Sequence, residues 1–174
     1  MEPFDESGMT FGPYADGCCF RIEQSKTYQA VQNNMKMVEF LLVRNQEGQP
    51  PCVWLVEAKK SAPRPQTIPD FGVFINEIKD KLVNGFGLGV ASILKRHSKT
   101  VGEVPETFQN LDLAATGFRL VLIINGHPKA GLPPLQSALQ KALQVHVRTW
   151  ALGPTAVTVL NQDGAKSHGL TSAP

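Results

Sequence analysis

Two acidic residues and a lysine lie in apolar segments of the chain. Glu39 is within residues 35–44, and Glu57 and Lys59 end the apolar run that begins at Cys52. Residues two apart on a β-strand point to the same face, so Glu57 and Lys59 can act on one point. An ionised carboxylate among apolar neighbours is costly unless a partner compensates it. These three side chains are therefore candidates for chemistry.

The turn between the two segments predicts how the acids align. Residues 45–51 read Asn-Gln-Glu-Gly-Gln-Pro-Pro, which is turn chemistry between two strands of a β-hairpin. If the hairpin is symmetric about Gly48, Phe40 pairs with Val56 and Glu39 faces Glu57. Opposed carboxylates destabilise a sheet, and a divalent cation would compensate them.

This arrangement predicts a site for metal-assisted phosphodiester hydrolysis. Glu39 and Glu57 would be ligands of Mg²⁺ or Mn²⁺, which typically keeps several waters and leaves room for phosphate oxygens. The Lys59 ammonium would orient or deprotonate an attacking water, or offset charge that builds on the phosphorus.

A second interpretation is that Glu57 and Lys59 are solvated charges where a strand leaves the core. The polar residues Lys60 and Ser61 that follow agree with it. It accounts less well for Glu39, which lies in mid-strand between apolar residues, and for the shared register of the two acids. We therefore favour the metal site.

The surrounding elements predict an α/β (α+β) domain. Both hairpin strands are apolar on both faces, as expected inside a sheet. Apolar residues recur at helical spacing over 71–94. Within that pattern Gly85, Gly87 and Gly89 favour close packing over a phosphate loop, because such loops follow a strand and open a helix.

The second half of the chain predicts further alternation. We expect a central strand at 118–124, a helix at 135–143, and strands at 145–150 and 155–160, while 18–31 is a short strand or a helical turn. This order favours a three-layer domain with a mixed central β-sheet flanked by helices.

Length and composition indicate one domain over 1–174, with a core at about 18–160 and loose ends at 1–17 and 161–174. The three cysteines form a poor disulfide framework, which favours a reduced, cytoplasmic protein. No apolar run is long enough for a membrane span. The net charge of +2 is too small to indicate a nucleic-acid partner by itself.

The hairpin motif, Val-Glu-Phe-Leu-Leu at 38–42 and Val-Trp-Leu-Val-Glu-Ala-Lys at 53–59, resembles the core of the PD-(D/E)XK nuclease superfamily. The resemblance covers about residues 20–125 and implies a restriction-endonuclease-like core. It implies that Glu39 and Glu57 bind Mg²⁺, that Lys59 assists catalysis, and that Glu23 is the acid many members carry before the hairpin. The chain departs from the pattern in having Glu at 39 and no preceding Pro.

The resemblance implies a nuclease that acts on DNA, with a homodimer or a partner subunit as a source of specificity. The alternative is a catalytically inactive relative that binds nucleic acid or protein. Several basic residues could contact phosphates, although solvated helix faces explain them more simply: Lys60, Arg64, Lys79, Lys81, Lys95, Arg96 and Lys99. No role is assigned to the four histidines.

Overall fold

The computed structural model describes residues 1–172. Three single turns of 3-10 helix lie at 22–24, 101–103 and 129–131. The strands are β1 (Phe4–Glu6), β2 (Met9–Phe11), β3 (Cys19–Phe20), β4 (Phe40–Arg44), β5 (Cys52–Lys59), β6 (Gly117–Ile124) and β7 (Val157–Asn161). The helices are α1 (Lys26–Val31), α2 (Asp70–Ile93), α3 (Glu106–Gln109), α4 (Leu132–Thr149) and α5 (Gln162–Ser167).

The centre of the molecule is a five-stranded mixed sheet with the strand order β3-β4-β5-β6-β7. The pairs β3/β4 and β4/β5 are antiparallel, whereas β5/β6 and β6/β7 are parallel. Each parallel pair is joined through a long helix, α2 or α4, as parallel connections require. The prediction of an α/β domain with a mixed sheet is therefore confirmed.

The β4–β5 hairpin has the predicted register. Phe40 pairs with Val56, and the turn contains Gly48 at a φ of +73°, a conformation that favours glycine. Glu39 immediately precedes β4, and its amide donates to the carbonyl of Val56, the residue that pairs with Phe40, at 3.1 Å. This bond holds Glu39 beside the last residues of β5.

Helix α2 runs unbroken through the three glycines and packs closely on the hairpin. A Cβ added at Gly85 would lie 2.6 Å from Cγ2 of Val38, and one at Gly89 would lie 2.9 Å from Cδ1 of Leu41. A Cβ at Gly87 would meet nothing within 4 Å. The prediction of close packing is confirmed for Gly85 and Gly89, which let the helix axis approach β4.

The prediction of a strand at 145–150 is wrong, because residues 145–149 belong to the C-terminal end of α4. Leu135, Leu139 and Leu143 form a buried stripe at helical spacing, and Val147 continues it. Short alternation of apolar and polar residues fits either element, and here packing against α2 and β7 decides for the helix. The strand expected at 155–160 is present as β7.

Two apolar clusters cover opposite faces of the sheet. Helices α2 and α4 pack on one face, against residues that include Leu55 and Leu122. The other face, which includes Val56 and Val121, is covered by the β1–β2 hairpin and by α5. Side chains at odd positions of β5 therefore point toward α2, and these include Glu57 and Lys59.

The expectation of loose chain ends is not met in residues 1–172. Met9, Phe11 and Tyr14 are buried, as is Leu170 near the other end. The two ends meet directly, since Phe11 forms a β-bridge with Thr171 and the Tyr14 hydroxyl donates to the carbonyl of Leu170 at 2.6 Å. Local sequence periodicity carries no information on such contacts between distant segments.

Candidate active site

The candidate site lies between the open end of the β4–β5 hairpin and the first half of α2. Glu57 is fully buried and Glu39 is 6 % exposed, while Lys59 lies at the rim with its side chain 25 % exposed. The hairpin register and the alternation of β5 turn all three side chains toward α2. The structure thus brings together the three residues that the sequence analysis singled out.

Two lysines neutralise Glu57. Nζ of Lys81, on α2, lies 2.9 Å from Oε1 of Glu57, and Nζ of Lys59 lies 3.1 Å from the same oxygen. Oε2 of Glu57 is buried and has no hydrogen-bond partner among residues 1–172. A buried carboxylate oxygen without a partner is unusual, and an ordered water, a bound ion or a catalytic role can account for it.

Less positive charge surrounds Glu39 than Glu57. Its nearest cation is Lys81, whose Nζ lies 3.7 Å from Oε1 of Glu39. Burial, a hydrogen bond that the protonated Glu39 carboxyl donates to Glu23, and the charge of Glu57 raise the pKa of Glu39 to about 9. Burial also raises the pKa of Glu57, against the opposing effect of Lys81 and Lys59. Burial thus holds the pKa of both carboxyls above the ordinary range, although Lys81 and Lys59 oppose the shift at Glu57.

Glu23 joins the same site from the 3-10 turn at 22–24. It lies within hydrogen-bonding reach of Glu39, and it lines an open cleft of about 810 Å³ with Glu77, Lys81 and residues of the 28–37 segment. The sequence analysis assigned Glu23 only through the family resemblance. Its charge, like those of Glu39 and Glu57, acts on Lys81.

Lys81, Glu77 and Lys36 are the residues that sequence reasoning missed. Lys59 also bridges to Glu77 on α2, with 3.1 Å between Nζ and Oε1, and Lys36 lies 3.5 Å from the other oxygen of Glu77. These two lysines outweigh the effect of burial and lower the pKa of Glu77.

A sequence signal for Lys81 was present. It follows Ile78 by three residues and precedes Leu82, so it lies on the buried stripe of α2, and its side chain is 12 % exposed. A lysine on such a stripe requires a partner inside the protein. The interpretation of Lys81 as a solvated surface charge is wrong, because it faces Glu57. The charges of Glu57, Glu39 and Glu23 outweigh burial and raise the pKa of Lys81.

The residues present fit a hard divalent cation in their chemistry. Glu39 and Glu57 offer carboxylate oxygens, and one of these oxygens is buried and has no partner. Within residues 1–172 no group of three or more His, Cys, Asp or Glu side chains is arranged to hold a metal. Two protein carboxylates completed by water are a common magnesium environment.

No helix in the described part of the chain has both the length and the apolar character to cross a membrane. Compared with known proteins, the chain matches no family model, no curated protein and no solved structure.

Proposed function

We propose that this chain is a magnesium- or manganese-dependent nuclease of the PD-(D/E)XK type that hydrolyses phosphodiester bonds of DNA. The observation that carries the proposal is Glu57, a fully buried carboxylate with one unpartnered oxygen, which stands beside Glu39 and two residues before Lys59. A buried group with this deficit fits a cation ligand better than a structural ion pair.

Each side chain has a distinct role in this proposal. Glu39 and Glu57 hold the cation, which supplies Lewis-acid chemistry at the phosphorus when bound. Lys59 contacts Glu57 and is partly exposed, so its ammonium can orient water or offset charge on a phosphate oxygen. Glu23 lies near enough to influence the protonation of Glu39 and would position it. Glu77 fixes the Lys59 ammonium from α2.

A second candidate function is an inactive relative that binds nucleic acid or a protein partner. Lys81 favours it, since its ammonium already lies 2.9 Å from Glu57 and 3.7 Å from Glu39. A lysine in that position supplies part of the positive charge that a cation would otherwise provide. The two functions differ in whether a divalent cation binds beside Lys81.

Calorimetric titration of Mg²⁺ and Mn²⁺ tests the proposal. Wild type should bind the metal and cleave plasmid DNA only in its presence. Glu57→Gln and Glu39→Gln should each weaken metal binding by about 10-fold or more, because each removes a charged ligand. Glu47→Gln is the matched control, since Glu47 is an exposed acid in the turn of the same hairpin.

A cleavage assay with lysine variants separates catalysis from metal binding. Lys59→Met should retain metal binding and lose at least about 100-fold in cleavage rate, as expected for removal of a group that stabilises transition-state charge. Lys60→Met is the control, because Lys60 is the exposed neighbour. Wild type that binds neither metal would exclude the nuclease and favour the interaction module.

A further inference from the structure

A second polar cavity lies at the opposite end of the hairpin, on the face of the sheet away from α2. Arg44 ends β4, Trp54 is on β5, and Arg119 pairs with Trp54 from β6. The guanidinium carbons of Arg44 and Arg119 lie 5.3 Å and 4.8 Å from the centroid of the Trp54 ring. Both arginines are thus held over one buried indole by cation–π contact.

The two arginines in this cavity have no acidic partner. None of the ion pairs within residues 1–172 involves an arginine. Arg44 donates through Nη1 to the carbonyls of His168 and Gly169, at 2.8 Å and 3.5 Å. These backbone bonds orient the guanidinium but leave its charge uncompensated.

The remaining walls also suit an anion. The cavity has a volume of about 370 Å³, and none of the residues that line it is acidic. Gln46 and Gln49 contribute side-chain amides, and the ring of His168 lies 5.6 Å from that of Trp54. Amide and imidazole N–H groups add donors beside the two guanidinium forks.

We propose that this cavity binds a phosphate monoester, with Arg44 and Arg119 as its principal ligands. One guanidinium suffices to bind a carboxylate. Two guanidinium groups with further N–H donors match the several oxygens and the double negative charge of a phosphomonoester. The stacking on Trp54 orients both forks before the ligand arrives, which lowers the entropic cost of binding.

This site is separate from the proposed nuclease centre. Its side chains are on the other face of the sheet, and Trp54 precedes Glu57 by three residues on β5. The inference therefore stands whether or not the chain cleaves DNA. Variants of Glu57 should leave binding in the arginine cavity unchanged.

Trp54 offers a direct reporter of binding. The chain has two tryptophans, and Trp150 is half-exposed in another part of the molecule. In a Trp150→Phe background, titration of adenosine 5′-monophosphate or inorganic phosphate should change the fluorescence of Trp54 saturably. Adenosine without the phosphate should cause no change.

Arginine variants in the same background test the ligands. Arg119→Met should weaken binding of the monophosphate by about 10-fold or more. Arg119→Lys should weaken it less, because it keeps the charge and loses the fork. Arg96→Met is the control, since Arg96 is exposed after the end of α2.

The results distinguish a site for phosphate monoesters from a site for the phosphodiester backbone of a nucleic acid. Binding of the monophosphate and of inorganic phosphate, lost in Arg119→Met and kept in Arg96→Met, would support the site. Binding only of an oligonucleotide without terminal phosphates would overturn it in favour of a phosphodiester backbone. Absence of any response in wild type, or a response that Arg119→Met and Arg119→Lys leave unchanged, would also overturn it.

Discussion

At the residue scale, the candidate site concentrates buried charge at one point of the sheet. Three acids, Glu23, Glu39 and Glu57, meet one buried lysine, Lys81, and one at the rim, Lys59. Buried ion pairs of this kind contribute little to net stability, because desolvation offsets their attraction. An arrangement that is costly for stability is best understood through the chemistry that it allows.

The raised pKa of Glu39 predicts a pH-dependent stability. Since its pKa rises from an ordinary 4.5 to about 9, the folded state binds a proton between these values that the unfolded state releases. The free energy of unfolding should therefore fall as pH rises through this window. Glu39→Gln removes the titration, so without divalent metal it should be more stable than wild type at pH 8, by roughly 1–2 kcal/mol.

Urea unfolding at pH 5 and pH 8 in the presence of a chelator measures this difference. The advantage of Glu39→Gln should shrink toward pH 5, because the carboxyl of the unfolded wild type then approaches its own protonation and the difference in bound protons between the two states becomes smaller. Glu47→Gln, in the exposed turn, should show no such trend. An equal difference between Glu39→Gln and wild type at both pH values would contradict the assignment.

At the element scale, α2 completes the site because it lies close to β4. Gly85 and Gly89 contact Val38 and Leu41, and Lys81 is one turn before Gly85 on the same helix. Residues four apart on a helix share a face, so close packing at Gly85 also brings the Lys81 side chain down onto the hairpin. The distance between helix and sheet thus determines the distance between Lys81 and Glu57.

Gly85→Ala should therefore destabilise the domain and disturb the site. Its Cβ would lie 2.6 Å from Val38, which forces the helix or the valine to move, at a cost of about 1–3 kcal/mol. Gly87→Ala meets open space and should stabilise the helix by up to about 1 kcal/mol. Thermal unfolding of the two variants provides the comparison. Equal stability of both would contradict the proposed close approach.

At the scale of the whole molecule, the two ends of the chain close one face of the sheet. Phe11 is fully buried against Phe40, with 5.2 Å between ring centroids, and its strand bridges to Thr171. The N-terminal hairpin also reaches the end of β5, where the Ser7 hydroxyl donates to the carbonyl of Ala58 at 3.0 Å. This contact supports the strand that carries Glu57 and Lys59.

Phe11→Ala should be strongly destabilising as a result. Loss of a buried phenylalanine costs about 3–5 kcal/mol, through lost burial and the cavity that remains. Thr10→Ala, at an exposed position of the same strand, should change stability by less than about 1 kcal/mol. Chemical denaturation of both variants measures the effect. A near-neutral Phe11→Ala would show that the N-terminal hairpin is not part of the core.

Local pattern was sufficient for the hairpin and for most elements. The turn around Gly48 determines the register, and the period of two in β5 then directs Glu57 and Lys59 to one face, so these features follow from neighbouring residues alone. The local pattern did not predict that α4 extends to Thr149, because alternation over six residues fits a strand as well as a helix. Only the contacts of α4 with α2 and β7 favour the helix.

The sequence by itself determined that Glu57 and Lys59 share one face of β5 and that Glu39 lies at the other strand of the same hairpin, because strand geometry and turn chemistry act over short distances. Only the tertiary structure decided that Lys81 neutralises Glu57, that Glu23 reaches Glu39, and that Arg44 and Arg119 share Trp54. These partners lie on separate elements, and their distances depend on how helices and strands pack. That packing is a property of the whole core, which no single segment encodes.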